Sequence, residues 1–180
     1  MAFHIVRNDI SKMEVDIIVN TANPNPVIGS GVDSVIHHAA GPKLIEERKK
    51  IGRIPVGNAV LTDAYSLDAK YVAHTVGPIW EGGNGKEQEL LRNCYANALD
   101  LAVKKKCESI AFPLISSGNY GFPKGVALQT AISSISTFLM EHEMMIYLVV
   151  FDRRAYKLSE NLFSSIASYI DDHYVDLWEQ

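Results

Sequence analysis

The chain has 180 residues, of which 47% are hydrophobic and 21% charged, a composition typical of a globular domain large enough to form its own core. Seventeen basic residues stand against 21 acidic ones and give a net charge of −4, which argues against general electrostatic binding of nucleic acid. The two cysteines, Cys94 and Cys107, have no paired-motif spacing, so neither a zinc site nor a disulfide framework is predicted.

Short apolar runs alternate with helical patterns along the chain. In chain order, the sequence predicts a mixed or edge strand at residues 3–6, a strand at 15–20, helices at 34–40 and 43–50, and a second mixed or edge strand at 59–61. A strand at 71–76, a helix at 87–106, a strand at 109–114, a helix at 124–141, a strand at 145–151 and a helix at 155–170 follow. This alternation predicts an α/β fold, a three-layer α/β/α sandwich around a mixed, mostly parallel central sheet.

A glycine-containing loop follows the predicted strand at 15–20 and enters a helix at about Val32. In an open α/β sheet, ligands bind at the carboxyl ends of the strands. Glycines before a helix let backbone N–H groups approach a phosphate, whose charge the helix dipole favours. Ser34 stands where a dinucleotide-binding fingerprint has its third glycine. On its own, the segment fits an ordinary turn as well as a phosphate loop.

A second loop of the same design covers residues 115–123, after the predicted strand at 109–114. Two such loops at strand ends would clamp a pyrophosphate between them. Tyr120 and Phe122 offer flat surfaces for a ribose or a base. The pair of loops therefore favours phosphate binding over a chance turn.

These motifs resemble, in order, the signature of macro domains of the MacroD type. The matching segments are Asn-Thr-Ala-Asn at 20–23, Gly-Ser-Gly-Val-Asp at 29–33, Ile-His-His-Ala-Ala-Gly at 36–41, the blocks at 55–59 and 70–78, and the loop at 115–123. The likeness runs from about Asn8 to Asp152. It implies a domain that binds ADP-ribose.

The resemblance also implies roles for individual residues. Asp9 matches a carboxylate that accepts a hydrogen bond from the adenine amino group, Ile10 lies beside it, and Phe151 matches an adenine-stacking aromatic. Without the resemblance, Asp9 would be interpreted as a cap and Phe151 as core. The remaining implied ligand-binding residues are Asn20, then Gly29, Ser30, Gly31 and Val32 in the first loop, and Ser116, Ser117, Gly118, Asn119 and Tyr120 in the second.

Asp33 matches the catalytic acid of the hydrolysing family members, and the resemblance implies that it activates or positions a water. Asn23 matches the asparagine at the distal ribose and is taken as catalytic together with His37. His37 lies four residues after Asp33 on the same helix face, where it would either orient the carboxylate or serve as a structural hydrogen-bonding group. His74 is expected to be a core histidine.

The implied function is hydrolysis of ADP-ribosyl esters, on protein Asp or Glu side chains or as O-acetyl-ADP-ribose. Two alternatives stay open, namely a reader that binds ADP-ribose without turnover and a regulator of RNA-processing proteins. Asp33 argues against the reader. Ile28 and Ser30 replace glycines of the family pattern, and Ile28 is expected to change substrate choice more than binding, since Ser30 still presents a backbone N–H. His38 replaces an arginine of the pattern.

We expect residues 1–180 to form a single domain, since the chain has no repeat, low-complexity segment or linker. The first residues are neither basic nor followed by a long apolar run, unlike a signal peptide. We expect a monomer that contacts no membrane, and the cysteine pattern fits a reducing cytoplasm. No cofactor and no metal are expected, because no ligand cluster is visible in the sequence.

Overall fold

The computed structural model describes residues 2–151, 153–154 and 156–158. Within this part of the chain, the strands are β1 (Phe3–Val6), β2 (Ile17–Thr21), β3 (Ala59–Asp63), β4 (Tyr71–Thr75), β5 (Ser109–Pro113) and β6 (Met145–Val149). The helices are α1 (Val32–Ala40), α2 (Lys43–Ile51), α3 (Glu87–Lys104) and α4 (Lys124–Leu139), with a single 3-10 turn at Ile10–Lys12. No helix among the described residues is long and apolar enough to span a membrane.

The strands form one sheet in the order β1-β6-β5-β2-β4-β3. Every neighbouring pair is parallel except β3 and β4, which confirms the predicted mixed, mostly parallel sheet. Ile18 of β2 lies between Val72 of β4 and Ala111 of β5. Because parallel strands end at the same edge of a sheet, the segments that follow β2, β5 and β6 come together there.

The side chains of the central strands alternate between two apolar layers. Ile17 and Val19 pack with Leu91 of α3 on one face, whereas Ile18 packs with Ile36 of α1 and Leu44 of α2 on the other. Helix α4 shares the face of α3. Helices therefore cover both faces of the sheet, and the predicted three-layer α/β/α sandwich is confirmed.

Several element ends differ from the predicted ones. Helix α3 stops two residues early, because Lys106 adopts a positive φ of 55° that no helix continues through. Strand β6 ends at Val149, and Phe151 beyond it is 76% exposed. Strand β3 is longer than predicted and reaches Asp63 as the antiparallel edge. The predicted helix at 155–170 lies outside the described residues except for positions 156–158, which are helical.

Candidate functional site

Two cavities of about 530 Å³ each lie where β2, β5 and β6 end. The first cavity extends towards the 3-10 turn and β6, and the second towards the residues that follow β2. Their common wall comes from the two glycine loops, residues 29–31 and 115–121, and the residue next to each, and consists of Gly31, Val32, Leu114, Ser117 and Gly118. The two cavities thus adjoin at these shared residues and form one continuous cleft.

The first cavity brings together three of the predicted site residues, namely Asp9, Ile10 and Phe151. Asp9 caps the 3-10 turn, since its Oδ1 accepts hydrogen bonds from the backbone N–H of Ser11 at 2.9 Å and from the Ser11 hydroxyl at 2.7 Å. Both bonds use one carboxylate oxygen, so capping and ligand recognition by Asp9 are compatible. The exposed ring of Phe151 stands at the rim of the same cavity.

The first glycine loop, residues 29–31, delivers the N-terminus of α1 to the cleft. Gly31 precedes the helix with a φ of +65°, a conformation that favours glycine. It has no side chain to cap α1, so the first-turn N–H groups remain available to an anion. Ser30 in this loop accepts a hydrogen bond from the amide of Asn119 at 2.8 Å. A glycine could not make this link, which joins the two loops across the cleft.

The second glycine loop, residues 115–121, contains a strained position at its start. Ser116 has a φ of +64° although it is not glycine, and such a conformation costs on the order of 1 kcal/mol. Its hydroxyl is buried without a hydrogen-bond partner among the described residues, and its backbone carbonyl accepts from Phe122 N–H at 3.1 Å. Ser116 and Tyr120 both line the second cavity. Strain of this kind is common where a loop is shaped to hold a ligand.

Asp33, on the first turn of α1, is the buried carboxylate of the second cavity and is 2% exposed. Its Oδ2 accepts from Gly29 N–H at 2.6 Å and its Oδ1 from the Asn20 amide at 2.6 Å, while His37 Nε2 lies 3.4 Å from Oδ1. Burial by itself raises the pKa of Asp33, but the bonds from His37, Asn20 and Gly29 outweigh it and hold the pKa below its usual value. Asp33 is therefore an anion at neutral pH.

A chain of hydrogen bonds through Asn20, His74 and Thr62 holds the amide that donates to Asp33. Burial lowers the pKa of His74 to about 3, so its ring is neutral. The Asn20 amide donates to His74 Nδ1 at 3.1 Å, His74 Nε2 then donates to the Thr62 hydroxyl at 2.9 Å, and that hydroxyl donates to the Asp63 carbonyl at 3.0 Å. This chain fixes the Asn20 amide with its second N–H towards Asp33.

The position of Asn20 differs from its expected place among the ligand-binding residues. Its side chain is fully buried and lines neither of the two cavities, because it lies behind Asp33 on the central strand. The geometry makes Asn20 a residue that orients Asp33. His74, expected to be a core histidine, is fully buried and accepts the hydrogen bond that fixes the Asn20 amide. The signal for both lay in their polarity within apolar strands.

Asn23 lines the second cavity near Asp33. A Cβ atom on Gly29 would come within 2.7 Å of Asn23 Nδ2, so the glycine is what lets the asparagine lie close. The fully buried Arg48 of α2 donates to the Asn23 backbone carbonyl at 3.1 Å. Arg48 was not among the predicted site residues, although its spacing of four from Leu44 places it on the buried helix face.

A third loop, residues 81–85, is fastened to the second glycine loop beside the cleft. The carboxylate of Glu87 accepts from the backbone N–H groups of Glu81 at 3.2 Å, Gly83 at 2.8 Å and Gly85 at 2.8 Å. Trp80, just before this loop, donates its backbone N–H to the Tyr120 carbonyl at 2.8 Å. Glu87 therefore fixes the loop at residues 81–85, which lies next to Tyr120.

We expect Glu87→Gln to loosen the loop at residues 81–85. All three partners of the carboxylate are donors, so either orientation of a glutamine amide sets an N–H against an N–H. Limited proteolysis should then cut the variant within this loop faster than the parent. Glu89→Gln, an exposed change on the same helix turn, is the matched control. Equal cleavage of all three proteins would contradict this role of Glu87.

No group of three or more His, Cys, Asp or Glu side chains in the described part of the chain is arranged to hold a metal ion. The expectation that no metal takes part stays a prediction. Its check is whether activity survives a chelator.

Comparison with known proteins gives a consistent result. The sequence profile of a family described as Macro domain matches residues 19–131. A macro domain-containing protein of Methanosarcina mazei is 46% identical over 164 residues, which are 90% of this chain and 88% of the relative. An O-acetyl-ADP-ribose deacetylase of Escherichia coli K12 is 43% identical over 167 residues, covering 89% of this chain and 94% of the relative.

Solved structures give the same picture. The Oceanobacillus iheyensis macrodomain with ADP has a TM-score of 0.87 at 38% identity and covers 91% of this chain and 90% of its own. The Trypanosoma brucei macrodomain in complex with ADP-ribose has a TM-score of 0.85 at 36% identity, over 91% of this chain and 69% of its own. The range matched by the family profile contains both glycine loops and α1.

Proposed function

The chain belongs to the macro domain family, and from that premise we propose that it binds ADP-ribose and hydrolyses ADP-ribosyl esters, as O-acetyl-ADP-ribose or on protein Asp and Glu side chains. The name of the E. coli relative and the ligand of the T. brucei structure support the proposal. The observation that carries its hydrolytic part is Asp33, a buried anion in the wall of the second cavity. A module that only held ADP-ribose would need this carboxylate at most to hold Gly29 of the first glycine loop.

The cleft accommodates ADP-ribose in one direction. The adenine lies in the first cavity, where Asp9 accepts from its amino group and Phe151 covers its face. The diphosphate lies between the two glycine loops, near the N-terminus of α1. The distal ribose then enters the second cavity and meets Asn23, Asp33 and Tyr120. What supports this order is that polar side chains gather in the second cavity, whereas Ile10 and Phe151 line the first.

The reaction needs a water molecule beside the ester carbon. Asp33, held by Gly29 and Asn20, accepts a hydrogen bond from this water and orients it. As the water oxygen bonds to the ester carbon, one water proton passes to Asp33 or to a phosphate oxygen of the ligand. The ester C–O bond then breaks, and this proton returns to the departing oxygen of the ribose. The products are ADP-ribose and a carboxylic acid.

Positioning supplies the rest of the proposed rate enhancement. The loops fix the distal ribose, and Asn23 fixes its orientation, so the water and the ester carbon meet in a reactive geometry. Because the pKa of Asp33 is lowered, the carboxylate is ionised at neutral pH and is free to accept the hydrogen bond, and then the proton, of the water. His37, 3.4 Å from Asp33, helps to orient the carboxylate.

The proposal is tested by hydrolysis of O-acetyl-ADP-ribose in isotopically labelled water. We expect acetate that carries the water oxygen, formed at a rate proportional to protein concentration. A parallel reaction on a protein modified at its carboxylates measures the second substrate class. If neither substrate is consumed faster than in buffer while ADP-ribose still binds, the chain is a reader.

We expect Asp9→Ala to weaken ADP-ribose binding about 10- to 150-fold, because it removes a charged hydrogen-bond acceptor worth roughly 1.5–3 kcal/mol. Isothermal titration of parent and variant measures the change in Kd. Ser11→Ala is the control, since it removes the hydroxyl that donates to Asp9 Oδ1 but keeps the carboxylate. An unchanged Kd in Asp9→Ala would leave this residue with its capping role alone.

We also propose that the protein acts as a monomeric single domain in the cytoplasm, on ADP-ribosyl substrates and not on nucleic acid or membranes. The free, buried cysteines Cys94 and Cys107 suit a reducing compartment. The net charge of −4 counts against RNA as a direct ligand. A molar mass measured in solution by light scattering tests the monomer, and a dimer mass would contradict it.

A further inference from the structure

Another cavity, of about 340 Å³, continues the cleft beyond the second cavity. It shares Gly77 and Tyr120 with the second cavity, and its wall residue Pro24 directly follows Asn23. It shares no lining residue with the first cavity. We call this cavity the flanking groove, since it borders the end of the cleft assigned to the distal ribose.

The flanking groove is lined largely by apolar side chains, among them Val56, Pro78, Ile79 and Leu90. Ile79 is 58% exposed and Val56 is 39% exposed. Apolar side chains left in water beside a concave surface are typical of a place that another molecule covers. The charged Lys86 and Glu81 stand in its wall and are exposed to solvent.

The walls of the flanking groove are fastened in place. Gly57, which follows the wall residue Val56, donates its N–H to the carbonyl of the wall residue Val76 at 2.8 Å, and its own carbonyl accepts from the Asn97 amide at 2.7 Å. Glu87 holds the loop on one side, and Trp80 links that side to Tyr120. A groove built in this way is present before a ligand arrives, so ordering it adds little to the cost of binding.

Resting on the function proposed above, we infer that the flanking groove binds the polypeptide that carries the ADP-ribosyl ester. The first two cavities take ADP-ribose, and the acyl side of the ester leaves the distal ribose beside Asn23 and Tyr120, where the groove begins. An acetyl group is too small to fill 340 Å³. An apolar residue next to the modified Asp or Glu fits against Val56 and Ile79.

The test compares two substrates in the same variants. Ile79→Ser and Val56→Ser change exposed side chains outside the first two cavities, so the domain should stay folded. We expect each change to lower kcat/KM for a peptide modified at a carboxylate by about fivefold, from the loss of apolar contact area. We expect kcat/KM for O-acetyl-ADP-ribose to stay the same. Val103→Ser is the matched control, because Val103 is 41% exposed and does not line the groove.

Each other outcome overturns the inference. If both substrates lose activity equally, the two side chains support the catalytic site and not a polypeptide. If neither substrate is affected, nothing binds in the groove. To separate this test from the proposed function, the Kd of the modified peptide is measured in proteins that also carry Asp33→Ala, so that hydrolysis does not consume the peptide. In that background, Ile79→Ser should weaken peptide binding but not ADP-ribose binding, whether or not the parent hydrolyses either substrate.

Discussion

Asp33→Ala should lower the turnover of an ADP-ribosyl ester by about 10²–10⁴-fold while the affinity for ADP-ribose changes far less. In the proposed binding mode the carboxylate lies beside the distal ribose, and it lines the second cavity whereas Asp9 lines the first. It is a buried anion whose pKa is held below its usual value, against the effect of burial, by His37, Asn20 and Gly29. A group that acts mainly in the transition state changes the rate with little change in ground-state binding.

Steady-state kinetics with O-acetyl-ADP-ribose and titration with ADP-ribose measure the two quantities on the same preparation. Thermal unfolding of the variant checks that the domain is intact. Turnover equal to that of the parent would show that Asp33 is not catalytic. A parallel loss of affinity and turnover would instead assign Asp33 the structural task of holding Gly29 and the phosphate loop.

Gly29→Ala is expected to have the second-largest effect, a loss of turnover of about 10²-fold, the order expected when a positioning group moves by about 1 Å. A Cβ atom at this position would come within 2.7 Å of Asn23 Nδ2. The asparagine must then turn away from its place in the second cavity. The measurement is kcat for O-acetyl-ADP-ribose, together with the Kd of ADP-ribose.

The matched control for this prediction is Gly125→Ala on α4. A Cβ atom on Gly125 meets nothing within 4 Å, and the residue lies in neither of the first two cavities. This variant should keep full activity. If Gly29→Ala is equally active, the position of Asn23 beside Gly29 is not needed for turnover.

The layers of the fold follow from local patterns in the sequence. Apolar runs such as 109–114 must be covered on both faces, and amphipathic stretches such as 87–106 provide the cover. The ends of elements depend on tertiary contacts, which is why β6 stops at Val149 while the apolar pattern runs on to Phe151. The antiparallel direction of β3 is likewise set by its pairing with β4, which no local pattern predicts.

Local sequence patterns likewise predict one part of the candidate site, whereas the other part depends on tertiary contacts. The two glycine loops were predictable, because each follows a strand end and leads into a helix. The role of Asp33 was implied only by the resemblance to macro domains of the MacroD type. The support behind Asp33 joins residues from separate elements, such as Asn20 with His74 and Arg48 with Asn23. Only the packing of β2, β4 and α2 brings these side chains together. The sequence contains these residues, but no local pattern indicates which of them contact each other.

The claim that this chain is an enzyme is tested most directly by the amount of O-acetyl-ADP-ribose consumed per protein molecule. Substrate in large excess is incubated with the parent protein, and free ADP-ribose is followed by chromatography. We predict many turnovers, with inhibition by added ADP-ribose because both ligands occupy the same cleft. Binding of ADP-ribose without release beyond the rate in buffer would contradict the claim.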